Sequence, residues 1–186
     1  MAEKHSDLPV IIMRLVRLED IDYIKPFDCG DDDLNDFLLN DARLYSEQFL
    51  ANTFVLEDES ETIAYYSLLN DKISQTTLPK NLWRQLRRNI PHPKHFGSYP
   101  AVKIGRLAVS KNYKDKGIGT NLVGAIMRLF IFQHGNSACR FLTVDAYKGA
   151  VSFYEKNGFR KMVNESEIPE ELPTIPLYLD LKQVKL

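Results

Sequence analysis

Cysteine is scarce in this sequence: Cys29 and Cys139 are the only two among 186 residues, and they stand 110 positions apart. Such a pair supplies neither a disulfide framework nor a zinc-ligand spacing, and both thiols read as small buried hydrophobes. Long apolar runs are missing too. The longest, residues 10–13 and 129–132, are far too short to cross a bilayer. The N-terminal MAEKHSDLP lacks the apolar stretch of a secretory signal, so a cytoplasmic location is expected. Nor does charge of one sign dominate, because 24 Lys and Arg face 25 Asp and Glu, a formal net charge of -1. A nucleic-acid partner would have to be met by local clustering of cations. Of four histidines only His92 and His95 are close, in the Pro-broken stretch PHPKH, where no helix face aligns them; no metal is expected.

What is present is ordinary for a globular chain: 44% hydrophobic and 26% charged residues, with no repeat, low-complexity tract or linker. At this length roughly 70% of the unfolded surface can be buried, so one domain over 1–186 is expected. Residues 10–17 read as a first strand. Leu34, Phe37, Leu38, Ala42, Tyr45 and Phe49 recur at helical spacing. Asp31, Asp32 and Asp33 precede them as a helix cap or as metal ligands; consecutive residues do not share a helix face, which favours the cap. Residues 52–58 and 62–75 form a hairpin about Glu59-Ser60-Glu61. A helix over 79–90 carries an apolar stripe, Leu82, Trp83, Leu86 and Ile90, and a basic one, Lys80, Arg84, Arg87 and Arg88; with Lys94 the segment 80–95 holds five cations and no acid. Further along come a strand (99–110), a long helix (117–133), a strand (140–145), a short helix (148–156) stopped by Asn157-Gly158, and strands 159–163 and 176–181. The order is mixed α/β.

Three features suggest chemistry. In strand 99–110 the apolar phase slips from Val102 and Ile104 to Leu107 and Val109, the trace of a β-bulge at Gly105-Arg106. It either twists the sheet or frees backbone groups for a ligand. Next, Lys114-Asp115-Lys116-Gly117-Ile118-Gly119-Thr120 runs into a helix start, where amide N–H groups, the helix dipole and two lysines favour an anion. The same loop also reads as a plain turn and cap. It fits neither the Rossmann fingerprint, since Leu122 stands where glycine is needed, nor the P-loop. Third, in FYEKNGF, Tyr154 is either a core-edge aromatic or an acid that protonates a departing thiolate.

In this order and spacing, GRLAVS, KDKGIG, FLTVDA and FYEKNGF resemble the GNAT superfamily of acyl-CoA-dependent N-acetyltransferases over essentially the whole chain. The resemblance implies a mixed, mostly antiparallel sheet with a bulged, splayed strand pair and flanking helices. It implies that backbone groups of Lys114, Asp115, Lys116, Gly117, Ile118, Gly119 and Thr120 hold the CoA pyrophosphate. The segment Leu107-Ala108-Val109 would line the pantetheine arm, with Leu107 and Val109 pairing with it, and Tyr154 would be the general acid. The family's loop begins with Gln or Arg, where Lys114 stands here, and Tyr147 occupies the place where many members carry a pantetheine-contacting Asn. Acetyl-CoA is then the cosubstrate, and an acetyl group passes directly to a primary amine without metal or covalent enzyme intermediate.

Upstream, FDCGDDDLNDFL, Thr53-Phe54-Val55, Tyr65-Tyr66-Ser67-Leu68 and GRLAV are similar to the GNAT toxins that acetylate aminoacyl-tRNA. The acceptors this admits are a small molecule, a peptide or aminoacyl-tRNA, and the protein partners are a second copy of the chain or an antitoxin. No membrane partner is implied. A third reading is a non-catalytic acyl-CoA-binding module. No Asp or Glu occurs from 79 to 110, where many family members place a base. An α-amine with pKa near 7.7–8.0 needs less help than an ε-amine near 10.4, and Asp71 or ordered water could take the proton.

Overall fold

The computed structural model describes residues 12–90, 96–132, 138–164 and 173–184. Val10 and Ile11 of the first expected strand, Lys94 and the two clustered histidines lie outside them. Seven strands form one sheet in the order β1-β2-β3-β4-β5-β7-β6: β1 (Arg14–Arg17), β2 (Asn52–Glu57), β3 (Thr62–Ser74), β4 (Ser98–Val109), β5 (Phe141–Tyr147), β6 (Arg160–Lys161) and β7 (Thr174–Asp180). Every pairing is antiparallel except β4 with β5, which is parallel. The expected mixed, mostly antiparallel sheet is therefore present.

Alternation along β3 assigns the two faces. Ala64, Tyr66 and Leu68 join Leu122, Val123, Ile126 and Met127 of α4 (Ile118–Phe132) in one core. Tyr65 and Ile73 point the opposite way. Tyr65 meets Leu38 and Ala42 of the N-terminal helical segment, and Ile73 meets Trp83 and Leu86 of α3 (Lys80–Arg88). Both α3 and the N-terminal helices thus cover one sheet face, and α4 covers the other.

The expected single helix after Asp31 is α1 (Asp32–Asp36), a π-helical turn (Phe37–Asp41) and α2 (Ala42–Glu47). Its aspartates separate by role. Asp31 accepts from the Leu34 N–H at 3.1 Å as the cap, while Asp28 Oδ1 accepts from Gly30 N–H and Asn35 Nδ2. Lys111 and those donors pull the Asp28 carboxyl down to about 2. FDCGDDDLNDFL is thus a self-bonded loop tying α1 to the end of β4 through Lys111 N–H and Asp28 O at 2.9 Å. The short helix of the sequence reading begins as a 3₁₀ turn at Lys148 and becomes α5 only over Val151–Lys156. Cys29 is buried as expected; Cys139 is only half-buried, its thiol donating to the Phe141 carbonyl.

Candidate active site

The register of β4 against β3 slips where the apolar phase slips: Ser67 faces Arg106, but Leu68 faces Ile104, leaving Gly105 as the extra residue. A Cβ built at Gly105 would lie 2.6 Å from Leu69 Cδ2, so the bulge brings backbone against a neighbouring side chain. On its other side β4 pairs with β5 only over Ala101–Lys103 and Phe141–Thr143. Beyond that the two strands part. Ser110 N–H bonds to Ile63 O on β3, and strand alternation then turns the backbone groups of Leu107 and Val109 toward the gap.

The gap is a cleft of ≈ 420 Å³ that passes through the sheet. From the α4 side it is lined by Ile104, Leu107, Val144, Ala146 and Tyr154; from the other side by Leu34, Phe37, Tyr45, Leu50 and Leu69. Tyr154 sits on α5 with its ring edge-on to Phe153 and Phe159, at 5.0 and 5.4 Å between centroids. It is 5% exposed and makes no hydrogen bond among the described residues. Burial pushes its hydroxyl well above the ordinary tyrosine value, so it keeps its proton at any physiological pH. The geometry suits an acid.

The glycine loop has two left-handed residues, Asp115 at φ 61° and Gly117 at φ 75°, immediately before α4, whose first bond runs from Asn121 N–H to Gly117 O. The two glycines serve different ends. Gly117 needs its positive φ in open space, whereas a Cβ on Gly119 would touch the Phe153 ring at 3.3 Å and Val109 Cγ2 at 3.8 Å. Gly119 therefore lets α4 pack against the residue beside Tyr154. Lys114 and Lys116 are exposed; the Lys116 ammonium lies 4.6 Å from the centre of the Tyr113 ring. A larger hollow of ≈ 650 Å³ between α4 and β7 shares only Thr120 with this loop.

A bulged strand parting from a parallel neighbour, a glycine turn opening the next helix, and a buried protonated tyrosine across the gap coincide with one family. Residues 96–179 match the acetyltransferase (GNAT) domain. The matched segment is a GNAT acetyltransferase domain. Over 166 residues, 89% of each chain, the protein is 25% identical to a tRNA-acetylating toxin of Mycobacterium tuberculosis (strain ATCC 25618 / H37Rv). Two solved structures share its fold. AtaT complexed with acetyl-methionyl-tRNAfMet has a TM-score of 0.73 at 23% identity, covering 92% of this chain and 96% of that one. AtaTR bound with AcCoA has a TM-score of 0.67 at 24% identity, covering 91% and 94%.

Several contacts at the cleft of this GNAT domain had no signal in the sequence. Arg106, next to the bulge, lies 5.0 Å from the centre of the Phe37 ring and donates to Gly105 O at 3.1 Å. Asp33 on α1 accepts from Tyr147 Oη at 3.2 Å and stands 3.6 Å from Arg106 Nη2, joining α1 to the end of β5 across the cleft mouth. Tyr147 is thus held by α1. Asp71 is committed elsewhere: one oxygen accepts from Thr143 Oγ1 at 2.5 Å, the other from Lys72 N–H at 2.8 Å, and Lys103 lies 3.8 Å away. Lys103 pairs more closely with Asp145, at 2.8 Å. On the same sheet face as this mouth, Lys80, Arg84, Arg87 and Arg88 line a shallow hollow of ≈ 570 Å³. Among the described residues none of Lys80, Arg84 and Arg88 is in an ion pair.

Proposed function

We propose that this enzyme transfers the acetyl group of acetyl-CoA to the α-amine of an aminoacyl-tRNA, as toxins of this class do, rather than to small primary amines generally. The observation that carries the choice is the row Lys80, Arg84, Arg87 and Arg88 on the sheet face into which the acceptor side of the cleft opens. A row of cations there can meet phosphates, and the likeness to a tRNA-acetylating toxin spans 89% of the chain. An antitoxin partner is part of this reading, by analogy with a mutant AtaT toxin bound to the C-terminus of the antitoxin AtaR, and a second copy of the chain is proposed beside it.

In this proposal the loop from Lys114 to Thr120 offers amide N–H groups to the CoA pyrophosphate at the start of α4. Leu107, Ala108 and Val109 line the pantetheine path, with the backbone groups of Leu107 and Val109 facing it. The acceptor nitrogen forms a bond to the acetyl carbonyl carbon and loses a proton, and the C–S bond breaks. Tyr154 passes its proton to the leaving sulfur, and backbone N–H groups beside the bulge stabilise the developing oxyanion. With Asp71 committed to Thr143 and Lys72, water takes the ammonium proton, which an α-amine near pKa 7.7–8.0 gives up easily.

Steady-state assays with labelled acetyl-CoA test the acceptor. For charged tRNA, KM should rise steeply with salt, and further in the double variant Arg84→Glu, Arg88→Glu, with acetyl-CoA affinity near normal. A KM flat in salt and indifferent to both substitutions would return these residues to a solvated helix face and leave a small amine as the acceptor.

A further inference from the structure

Where α2 ends, the chain makes a choice that folding does not explain. Phe49 N–H bonds to Ser46 O and Leu50 N–H to Tyr45 O, both at 2.9 Å, the pattern of a helix stop whose turning residue is usually glycine. That residue here is Phe49, at φ 56° and 96% exposed. A left-handed backbone is unfavourable for a residue with a Cβ, and an aromatic ring in water stabilises nothing in the fold. A costly conformation that holds an apolar ring in solvent points to a ligand for the ring.

The position names the ligand. Phe49 and Leu50 line a hollow of ≈ 290 Å³ with Asn52, Phe54, Asn70 and Phe130. The hollow shares Leu50, Ala51 and Leu69 with the lining of the active-site cleft, so the two adjoin across these residues. Its rim has two amides. Asn52 Oδ1 accepts from Arg17, whereas the exposed Asn70 side chain makes no hydrogen bond among the described residues. A flat aromatic face beside a free amide suits an unpaired nucleobase, since bases of single-stranded RNA stack on aromatic rings and present edges that Asn can pair.

We propose that Phe49 is the stacking platform for the 3′-terminal nucleobase of the acceptor RNA, with Asn70 at the base edge, so that the aminoacyl group esterified to that nucleotide reaches the cleft. This rests on the aminoacyl-tRNA reading above, but one arm of its test does not. A short single-stranded RNA ending in CC followed by 2-aminopurine should lose fluorescence on titration with the wild-type protein and with Phe49→Trp. Phe49→Gly should leave the fluorescence unquenched while its melting temperature stays at or above wild type, because glycine relieves the left-handed backbone. Equal quenching by wild type and Phe49→Gly, or none by wild type, overturns the proposal whether or not any tRNA is acetylated.

With charged tRNA, Phe49→Ala should raise KM about 5- to 150-fold with kcat within about twofold, the range expected for one lost base–aromatic stack. A KM change that instead follows protein concentration, with altered sedimentation of the variant, would assign this face to a second copy of the chain and refute base stacking. Absence of acetylated tRNA from the wild-type reaction sinks the acceptor assignment, and the fluorescence titration still decides the platform.

Discussion

Replacing Tyr154 with Phe removes one hydroxyl from a site where that group has no hydrogen-bond partner among the described residues. The ring is buried between Phe153 and Phe159, and Phe fits the same space with both edge contacts intact. A hydroxyl that faces the cleft without a protein partner contributes little to folding, so stability should stay within about 1 kcal/mol of wild type. If the hydroxyl protonates the leaving thiolate, kcat should fall roughly 10- to 1,000-fold, about 1.4–4 kcal/mol of barrier, with acetyl-CoA affinity nearly unchanged. The combination is what separates an acid from a packing residue. It is read by kcat from initial rates, acetyl-CoA affinity from calorimetry and a urea melt. Burial keeps Tyr154 protonated, so kcat/KM should rise with pH as the acceptor amine deprotonates and then stay flat through pH 9 to 10. A variant with unchanged kcat, or a wild-type profile falling with an apparent pKa below 10, would falsify the assignment of Tyr154 as the acid.

Gly119→Val should weaken acetyl-CoA binding and also lower Tm, because its side chain would press on Phe153, 3.3 Å from the Cβ position; Gly117→Ala, in open space at φ 75°, should cost about 1 kcal/mol through backbone strain alone. If Gly119→Val melts like wild type, the packing role given to that glycine is wrong. Asp28 and Asp58 are held at about 2 in the fold, Asp28 chiefly by Lys111 and Asp58 chiefly by the Glu61 N–H, below an ordinary carboxyl value of 3.8. Their contribution is full above pH 4 and lost as pH falls toward 2, so Asp28→Asn, Asp58→Asn should flatten stability over that window; an unchanged pH slope in acid titration contradicts this. Asp31→Ala should destabilise by roughly 0.5–2 kcal/mol through loss of the α1 cap, measured by urea denaturation, and a neutral result would mean the Leu34 N–H finds water as readily.

The bulge was legible in the sequence because strand alternation is strict: Ile104 and Leu107 cannot both face α4 without one extra residue between them, and Gly105 is that residue. Asp31 was legible as a cap for a similarly local reason. The π-helical turn over Phe37–Asp41 was not, since Leu34, Leu38 and Ala42 keep a spacing of four that an unbroken α-helix shows as well. Gly119 shows the limit of reading glycine from a motif. Its sequence neighbours suggested a bare backbone for an anion, whereas its tertiary neighbour, Phe153, gives it a packing reason as well.

By itself the sequence determined what depends on near neighbours along the chain. Periodicity placed the helices and strands, the turn at Asn157-Gly158 ended α5, and the phase slip marked where β4 bends. Spacing of Lys80, Arg84, Arg87 and Arg88 put them on one helix face. Tertiary structure decided what depends on which strands meet. The parallel pairing of β4 with β5 stops after Lys103 and Thr143, and only this opens the cleft and turns Leu107 and Val109 toward it. Packing brought Asp33, 114 positions away, to Tyr147, and committed Asp71 to Thr143, 72 positions away. Such contacts leave no periodic trace, because the residues that make them are fixed by the order of strands in the sheet and not by their distance along the chain.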